Sequence, residues 1–367
     1  MRIIISGGGT GGHVYPAIAI ANTLKEKGVE DILFVGANGK LEMEKVPKAG
    51  FEIEGLDIRG FHRTRKWRNI LFPFKLLGSL WKAKKVFDKF GPDVVVGVGG
   101  YASGPILKIA QLNNIPTVLQ EQNSYPGVTN KLLAKKAKKI CVAYKGMEKY
   151  FDVDKIRLTG NPVRKDLENI SHLRAEAFAH FDLDPDKRTV SIFGGSLGAR
   201  SVNAAIACQA EMIRSIKNDV QLLWQVGNIY HKEYSQLDIA RENNVRMLPF
   251  VDRMDFAYAV SDVVICRAGA LTISELLLIG KPSVLVPSPN VAEDHQTKNA
   301  EALVEASAAL MVKDAVAKRK LVAVALELLE DKSMLESLRK NMLRLARPDA
   351  RNEIAEEILK IGRSGFS

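Results

Sequence analysis

Glycine and histidine crowd together directly after the first apolar run of the chain. Ile3-Ile4-Ile5-Ser6 leads into Gly7-Gly8-Gly9-Thr10-Gly11-Gly12-His13, where five glycines fall within six residues. Glycines between a strand and a helix let the backbone approach a ligand closely, and the helix N-terminus adds bare N–H groups and a partial positive charge. The pattern predicts an anion site, most often for a phosphate, with His13 at its mouth and Pro16 near the first turn of the helix.

Polar or glycine-rich clusters follow several later apolar runs that predict strands. They are Gly99–Gly104, Glu121–Asn123, Gly194–Ser196, Arg267–Glu275 and Asp294–Thr297. Tyr101, Ser103, Glu121 and Asn123 could each be turn formers or caps. Open α/β sheets bind ligands at the carboxyl ends of their parallel strands, so the repetition of such clusters favours a ligand site.

The elements that position these clusters repeat twice. Strands expected near 32–36, 93–98 and 115–120 alternate with helices, and a second series begins at 189–193 and continues through 220–226, 245–250, 263–266 and 283–286. The sequence predicts an α/β protein of two doubly wound domains in tandem, with a ligand cleft between them. The expected domains are 1–162, with a last helix in 348–367 packing back on it, and 163–347.

One motif imitates a cofactor site. Gly7-x-Gly9-x-x-Gly12 matches the dinucleotide fingerprint, which also needs an acidic residue at the end of the second strand to hold a ribose hydroxyl. Gly36-Ala37-Asn38 stands at that place. A nicotinamide or flavin cofactor is therefore disfavoured.

Metal sites are also disfavoured. Asp152-x-Asp154 and Asp182-x-Asp184 lie in polar connectors, where turn and capping roles are the simpler interpretation. No zinc spacing or Walker loop occurs, and the three separated cysteines are expected to be small buried residues in a reducing compartment. We expect no metal and no cofactor, so a bound phosphate would rely on backbone N–H groups, helix ends and arginine.

Positive charge is concentrated in one half of the chain. The net charge is +11, of which residues 1–160 contribute +12 and residues 161–367 contribute −1. Residues 59–85 hold nine Lys/Arg and no acidic residue, and Lys131–Lys139 adds five lysines. The segment 59–85 fits a core helix with a basic face. It also fits an interfacial segment that places Trp67, Phe72, Phe74 and Trp81 in a bilayer surface, with Arg65, Lys66 and Arg68 on anionic headgroups.

RNA binding is a third interpretation of the basic segment, and it is disfavoured because no nucleic-acid fold accompanies it. No apolar run approaches the length of a spanning helix, and no signal peptide precedes the first strand. We expect a chain that is cytosolic or peripheral to a membrane.

Seven motifs in order resemble the MurG family of bacterial transferases, which add N-acetylglucosamine to lipid I to make lipid II. The motifs are Gly8–Pro16, Gly99–Pro105, Glu121–Asn123, Gly160–Arg164, Gly194–Ser196, Arg267–Glu275 and His295-Gln296. The resemblance implies a GT-B glycosyltransferase fold and inverting, metal-independent transfer from UDP-N-acetylglucosamine to the C4 hydroxyl of N-acetylmuramic acid. It also implies a peripheral place on the cytoplasmic face of the inner membrane, with an anionic surface and cell-wall synthesis proteins as further partners.

The resemblance also implies roles for residues at matching positions. Glu275 would hold the ribose hydroxyls, and Ala270, Leu271 and Thr272, followed by Ile273 and Ser274, would flank the nucleotide. Ser196 and Arg164 would face the diphosphate, Val251 the uracil, and Gln296, Asn123 and the Thr10-Gly11-Gly12 backbone the sugar. His295 stands where many members have glutamine, which puts a sugar contact at that position in doubt.

The acceptor side is expected to include Tyr101 and the first glycine loop. A base must take the proton of the acceptor hydroxyl, and His13 has a suitable ordinary pKa of about 6.5. Glu121 is a second candidate, and a helix cap or a contact to the lipid diphosphate is the alternative for His13. Two other functions stay open: another GT-B nucleotide-sugar enzyme, such as a 2-epimerase or natural-product glycosyltransferase, and a non-catalytic basic module that binds a membrane.

Overall fold

The computed structural model describes residues 1–58, 72–195, 197–291 and 294–364, without the side chains of residues 72–74 and 364. The chain forms two compact units, one of Met1–Arg164 with Arg347–Ser367 and one of Lys165–Ala346. The first unit thus extends two residues beyond the boundary expected from the sequence, so it includes Val163 and Arg164.

The first unit is built on a seven-stranded parallel sheet of order β3-β2-β1-β4-β5-β6-β7. In register, Ile4 of β1 lies opposite Leu33 of β2 and Val95 of β4. The strands are β1 (Arg2–Ser6), β2 (Asp31–Ala37), β3 (Glu52–Leu56), β4 (Val94–Gly97), β5 (Thr117–Glu121), β6 (Lys139–Val142) and β7 (Ile156–Leu158). Its helices are α1 (Gly11–Glu26), α2 (Glu42–Lys48), α3 (Phe72–Phe90), α4 (Ser103–Leu112), α5 (Val128–Ala134) and, from the end of the chain, α15 (Ala350–Ser364), with short 3₁₀ turns at Met147–Lys149 and Val153–Lys155.

Both faces of this sheet are covered, which is why its central strands β1, β2 and β4 are nearly continuous apolar runs. Successive side chains of β1 point to opposite faces. Ile4 joins the core under α3, α4 and α5, and Ile3 and Ile5 join the core shared with α1 and α15. The last helix contributes Ile354 and Ile358 to that second core, so it packs on the first unit.

The second unit repeats the design with a six-stranded parallel sheet of order β10-β9-β8-β11-β12-β13. The strands are β8 (Arg188–Phe193), β9 (Val220–Gln225), β10 (Val245–Leu248), β11 (Val263–Cys266), β12 (Ser283–Leu285) and β13 (Leu310–Met311). The helices are α6 (Arg174–Phe181), α7 (Arg200–Cys208), α8 (Ala210–Ser215), α9 (His231–Tyr234), α10 (Met254–Val260), α11 (Ala270–Ile279), α12 (His295–Glu305), α13 (Asp314–Glu330) and α14 (Lys332–Leu345), with 3₁₀ turns at Lys165–Leu167, Ile170–Leu173 and Asp238–Arg241.

Each unit reverses its strand order at its first strand. The switch point lies between β1 and β4 in the first unit and between β8 and β11 in the second. Ligands of doubly wound sheets bind outside the carboxyl ends of the strands at such a point. The fold therefore singles out the loops after β1, β4, β8 and β11, each of which contains glycine.

Two sequence expectations need correction. Helix α1 begins at Gly11, so Pro16 lies in its second turn, where it has no N–H to donate to the carbonyl of Gly12. Cys141 and Cys266 are buried, as expected, and burial raises the pKa of each thiol to about 12. Cys208 is exposed, because it is the last residue of α7 and that helix buries a different face.

The aspartate pairs are turn and capping residues, as predicted. Asp152 caps a 3₁₀ turn by accepting the Asp154 N–H at 3.3 Å, and Asp184 accepts the Asp186 N–H at 3.0 Å. Within the described ranges, no cluster of three or more His, Cys, Asp or Glu side chains has the arrangement of a metal site. No helix in that same part of the chain is both long and apolar enough to traverse a bilayer.

Candidate active site

The loops after β1 and β4 lie against each other at the first switch point. A Cβ atom placed on Gly100 would stand 2.3 Å from the Gly8 carbonyl oxygen, so only glycine permits this contact. The N–H of Val98 donates to the carbonyl of Ser6 at 2.8 Å, which holds the two loops in register. The first glycine loop is therefore packed backbone to backbone against the second.

His13 is the third residue of α1, and its ring folds back on the loop that precedes the helix. Its Nδ1 lies 3.1 Å from the Gly8 carbonyl oxygen and 3.2 Å from Thr10 Oγ1. A carbonyl oxygen only accepts hydrogen bonds, so the neutral tautomer that bonds to the Gly8 carbonyl is the one with its proton on Nδ1 and with Nε2 as the acceptor nitrogen. A Cβ atom on Gly99 would lie 3.1 Å from Nε2, so that edge of the ring borders the second glycine loop.

Glu121 ends β5 and is buried, with four donors on its carboxyl group. Oε1 accepts from the Asn123 backbone N–H and side-chain amide, and Oε2 accepts from the Gly127 N–H and the Asn130 amide, at 2.8–3.3 Å. Burial raises the pKa of Glu121 despite these bonds. The group holds the segment after β5, including Asn123, in place, and its assignment as a base stays a prediction.

Arg164 and Tyr101 border the same region of the first unit. The Arg164 guanidinium carbon lies 6.0 Å from the ring centre of Tyr15, two residues beyond His13 on α1. Tyr101, in the loop after β4, is 54% exposed. His13 thus lies on α1, and Arg164 lies beside the same helix. Among the predicted sugar contacts, Thr10 and Gly12 are exposed and Gly11 is half-buried at the start of that helix.

At the second switch point, α11 starts at Ala270 directly after the loop that follows β11. Glu275 is buried in the second turn of this helix, and its Oε2 accepts a hydrogen bond from the Tyr258 hydroxyl at 2.9 Å. Tyr258 comes from α10 and is also buried. A buried side chain on another helix therefore orients the Glu275 carboxyl group, which is predicted to hold a ribose.

The neighbouring predicted residues differ in what they expose. Leu271, Thr272 and Ser274 are half-buried, and the Ser274 hydroxyl donates to the Ala270 carbonyl at 3.0 Å. Ile273 is fully buried, so its side chain serves the core. Val251 is buried beyond the end of β10. Ser196 lies outside the described residues.

Gln296 and Arg267 belong to a connected set of contacts. The Gln296 amide oxygen accepts the Ser288 N–H at 2.9 Å. Arg267 donates to the carbonyls of Val286 and Pro287, just before Ser288, and pairs with Asp314 at 2.5 Å. The segment that orients Gln296 is thereby tied to the end of β11 and the start of α13.

The basic segment of the first unit is only partly described. Arg65, Lys66, Trp67 and Arg68 lie outside the described residues, and α3 is described without the side chains of Phe72 and Phe74. The rest of α3 buries Ala83, Val86 and Phe87 in the core but leaves Leu77 63% and Trp81 64% exposed. The Lys85 ammonium lies 3.6 Å from the Trp81 ring centre. The helix therefore serves the core with one face and presents an aromatic and basic face outward.

Three residues that organise the site were missed from the sequence. Glu42 accepts a hydrogen bond from Gly9 of the first glycine loop, Tyr258 donates to Glu275, and Asp314 pairs with Arg267. None stands in a glycine-rich cluster, and each acts from an element remote in sequence. For Glu42, the sequence signal was an acidic residue at the start of the helix that follows β2.

Comparisons with known proteins agree on one family. The models of the glycosyltransferase family 28 N-terminal and C-terminal domains match residues 3–142 and 189–354. The chain is 51% identical to the UDP-N-acetylglucosamine–N-acetylmuramyl-(pentapeptide) pyrophosphoryl-undecaprenol N-acetylglucosamine transferase of Flavobacterium psychrophilum, over 99% of this chain and 98% of that protein. It is 53% identical to the protein of the same name from Parabacteroides distasonis, over 98% of each. The crystal structure of Acinetobacter baumannii MurG is similar with a TM-score of 0.77 and 26% identity, covering 98% of this chain and 99% of that one.

Proposed function

The chain belongs to glycosyltransferase family 28, and we infer that it transfers N-acetylglucosamine from UDP-N-acetylglucosamine to lipid I, giving lipid II for peptidoglycan synthesis. The observation that carries this function is identity of about half, over nearly the full length, to transferases of that name. Its two parallel-sheet units have the GT-B fold that the sequence motifs implied. The alternatives, a 2-epimerase, a natural-product glycosyltransferase or a non-catalytic module, are not favoured.

Donor binding is assigned to the second unit. Glu275 takes the ribose hydroxyls, Ala270, Leu271 and Thr272 flank the nucleotide, and Val251 borders the uracil. The position of α11 at the switch point and the buried Tyr258 bond to Glu275 support this assignment. Because the Gln296 oxygen accepts from the backbone of Ser288, its NH₂ group would bind a sugar hydroxyl.

Departure of UDP builds negative charge on the diphosphate, and the anomeric carbon becomes oxocarbenium-like. Ser196, Arg164 and the helix N-terminus after β8 are the groups assigned to that charge. Asn123 and the Thr10-Gly11-Gly12 backbone are assigned to the sugar. The support for Asn123 is its fixed position, since Glu121 holds both its backbone and its side chain.

Acceptor activation is assigned to His13. Inversion requires the acceptor hydroxyl to attack from the face opposite the leaving group while it loses its proton. Nε2 of the Nδ1-protonated tautomer is a suitable acceptor for that proton. Tyr101, exposed in the adjoining glycine loop, is assigned to the acceptor side.

The lipid acceptor places the reaction at a membrane surface, and the face formed by α3, α4 and α5 suits such a surface. These helices cover one side of the first sheet, and they expose Leu77, Trp81, Leu112, Val128 and Leu132. Each lysine that reaches anionic headgroups contributes on the order of 1 kcal/mol. We assign this face to peripheral docking on the cytoplasmic side of the cell membrane.

Release of UDP, followed with and without a lipid I analogue, tests the function. The transferase releases UDP only when the acceptor is present, and the released UDP equals the disaccharide formed. Donor conversion without an acceptor would indicate an epimerase. Vesicle binding by sedimentation without UDP-N-acetylglucosamine binding by calorimetry would indicate a non-catalytic module.

A further inference from the structure

Glu42 is a carboxyl group buried beneath the first glycine loop, with 1% of its surface exposed. Its Oε2 accepts the N–H of Gly9 at 2.9 Å, and its Oε1 accepts the N–H of Ala37 at 3.0 Å. One side chain at the start of α2 therefore joins the loop after β1 to the end of β2.

The side chain fits its place closely. A Cβ atom on Gly8 would lie 2.1 Å from Glu42 Oε1, and one on Gly36 would lie 2.6 Å from Glu42 Cγ. Both positions must lack a side chain to admit this carboxyl group. Gly8 of the first glycine loop and Gly36 at the end of β2 thus make room for a carboxyl group of the protein itself, and the Gly9 N–H donates to that group.

The same peptide group connects Glu42 to His13. The Gly9 N–H that Glu42 binds and the Gly8 carbonyl that His13 Nδ1 contacts at 3.1 Å belong to one planar peptide unit. Fixing the N–H end of a rigid plane fixes the direction of the carbonyl at its other end. Hydrogen bonds in such a chain also polarise one another.

We propose that Glu42 is a positioning residue for His13, acting through the Gly8–Gly9 peptide to hold the proton on Nδ1 and keep Nε2 as the proton acceptor. This role rests on the proposed function, in which His13 takes the proton of the acceptor hydroxyl. Glu42 itself touches neither substrate. It orients the ring that does.

The test compares Glu42→Gln with Glu44→Gln. Glutamine keeps the volume of Glu42 but offers one acceptor oxygen, so its NH₂ group faces either the Gly9 or the Ala37 N–H. Glu44 lies two residues along α2, is exposed and pairs with Lys45 and Lys48, which makes it a matched control. General-base catalysis contributes roughly 10²- to 10⁴-fold, so we expect kcat of Glu42→Gln to fall at least about tenfold. Its Kd for UDP-N-acetylglucosamine should match that of Glu44→Gln.

A spectroscopic readout separates positioning from general damage. Protein labelled with ¹⁵N-histidine, with the His13 signals assigned by their loss in His13→Gln, should show a protonated Nδ1 and an unprotonated Nε2 in the wild type at pH 8. In Glu42→Gln these ¹⁵N shifts should move toward an average of the two tautomers. In Glu44→Gln they should stay as in the wild type.

Two results would overturn the proposal. One is a wild-type spectrum with the proton on Nε2, a result that does not depend on any variant folding. The other is a Glu42→Gln variant with the tautomer and kcat of Glu44→Gln. A changed tautomer with unchanged kcat supports the positioning role and instead contradicts the assignment of His13 as the base.

Discussion

Tyr258→Phe removes one hydroxyl group and tests whether Glu275 must be held to bind the donor. The hydroxyl donates to Glu275 Oε2 at 2.9 Å, and both side chains are buried. The phenylalanine ring keeps the edge-to-face contact with Phe193, whose centroid lies 5.8 Å away. The change therefore removes the hydroxyl's bond to Glu275 and retains the packing of the ring.

The expected magnitude follows from the burial of that bond. Removing the donor from a buried carboxyl group costs about 1–3 kcal/mol. We expect Tyr258→Phe to lower the unfolding free energy of the second unit by about 2 kcal/mol. We expect the same substitution to weaken the binding of UDP by about 1 kcal/mol, which is roughly a fivefold rise in Kd.

Calorimetry with UDP and with 2′-deoxyuridine diphosphate measures the effect at the ribose. The wild type should prefer UDP, and Tyr258→Phe should lose most of that preference because Glu275 loses the hydrogen bond from the Tyr258 hydroxyl. Tyr234→Phe is the control, since Tyr234 is buried in the same unit against Trp224. An undiminished preference for UDP in Tyr258→Phe would refute the reasoning, and a wild type without preference would refute the role of Glu275.

Three other changes test separate parts of the account. His13→Ala should lower kcat by roughly 10²-fold or more, as expected for a general base, and leave donor Kd within about twofold; near-wild-type turnover would exclude His13 as the base. Burial raises the pKa of Glu121 in the folded protein above its value in the unfolded chain. The protonated carboxyl group therefore stabilises the fold at a pH below the pKa of the unfolded chain, and this contribution is lost as the pH rises through the pKa of the folded protein. Urea unfolding should therefore show the wild type losing stability relative to Glu121→Gln as pH rises above the ordinary glutamate pKa of about 4.3, and a constant difference would contradict this. Trp81→Glu should weaken binding to anionic vesicles, measured by sedimentation, roughly tenfold, because burying the ring contributes about 25 cal/mol per Å² of apolar surface. Val153, which is also exposed, is the control, and Val153→Glu should leave vesicle binding unchanged. Equal effects of the two substitutions would argue against docking through α3.

The architecture was predictable because parallel strands buried on both faces leave apolar runs in the sequence. Strands β11 and β8 fall close to where the runs at 263–266 and 189–193 placed them. Short strands such as β13, with two residues, leave too little pattern to recognise. The start of α1 was misplaced because glycines at Gly11 and Gly12 suggest a loop, although the helix already includes them.

The site was predictable where glycine loops mark it and not where side chains reach in from elsewhere. The clusters at Gly7–His13 and Arg267–Glu275 do lie at the two switch points. Glu42 was missed because its partners are backbone N–H groups, which have no sequence signature. Tyr258 was missed because its bond to Glu275 joins two helices whose packing only the fold determines.

The first glycine loop also shows how one motif supports two interpretations. Its letters match a dinucleotide fingerprint, and the absence of an acid at the end of β2 argued against that cofactor. The structure adds that an acid is nearby but points into the loop, where Glu42 accepts the Gly9 N–H. Gly8 therefore leaves space for a side chain of the protein itself, and the Gly9 N–H donates to that side chain.

The most direct test of the central claim is transfer of radiolabel from UDP-N-acetylglucosamine to a lipid I analogue, with and without a chelator. The account predicts a labelled disaccharide lipid, with the new sugar on the C4 hydroxyl of N-acetylmuramic acid, at the same rate in both conditions. Absence of transfer to any polyprenyl diphosphate acceptor would contradict the function. Transfer that stops with the chelator would contradict a metal-independent mechanism.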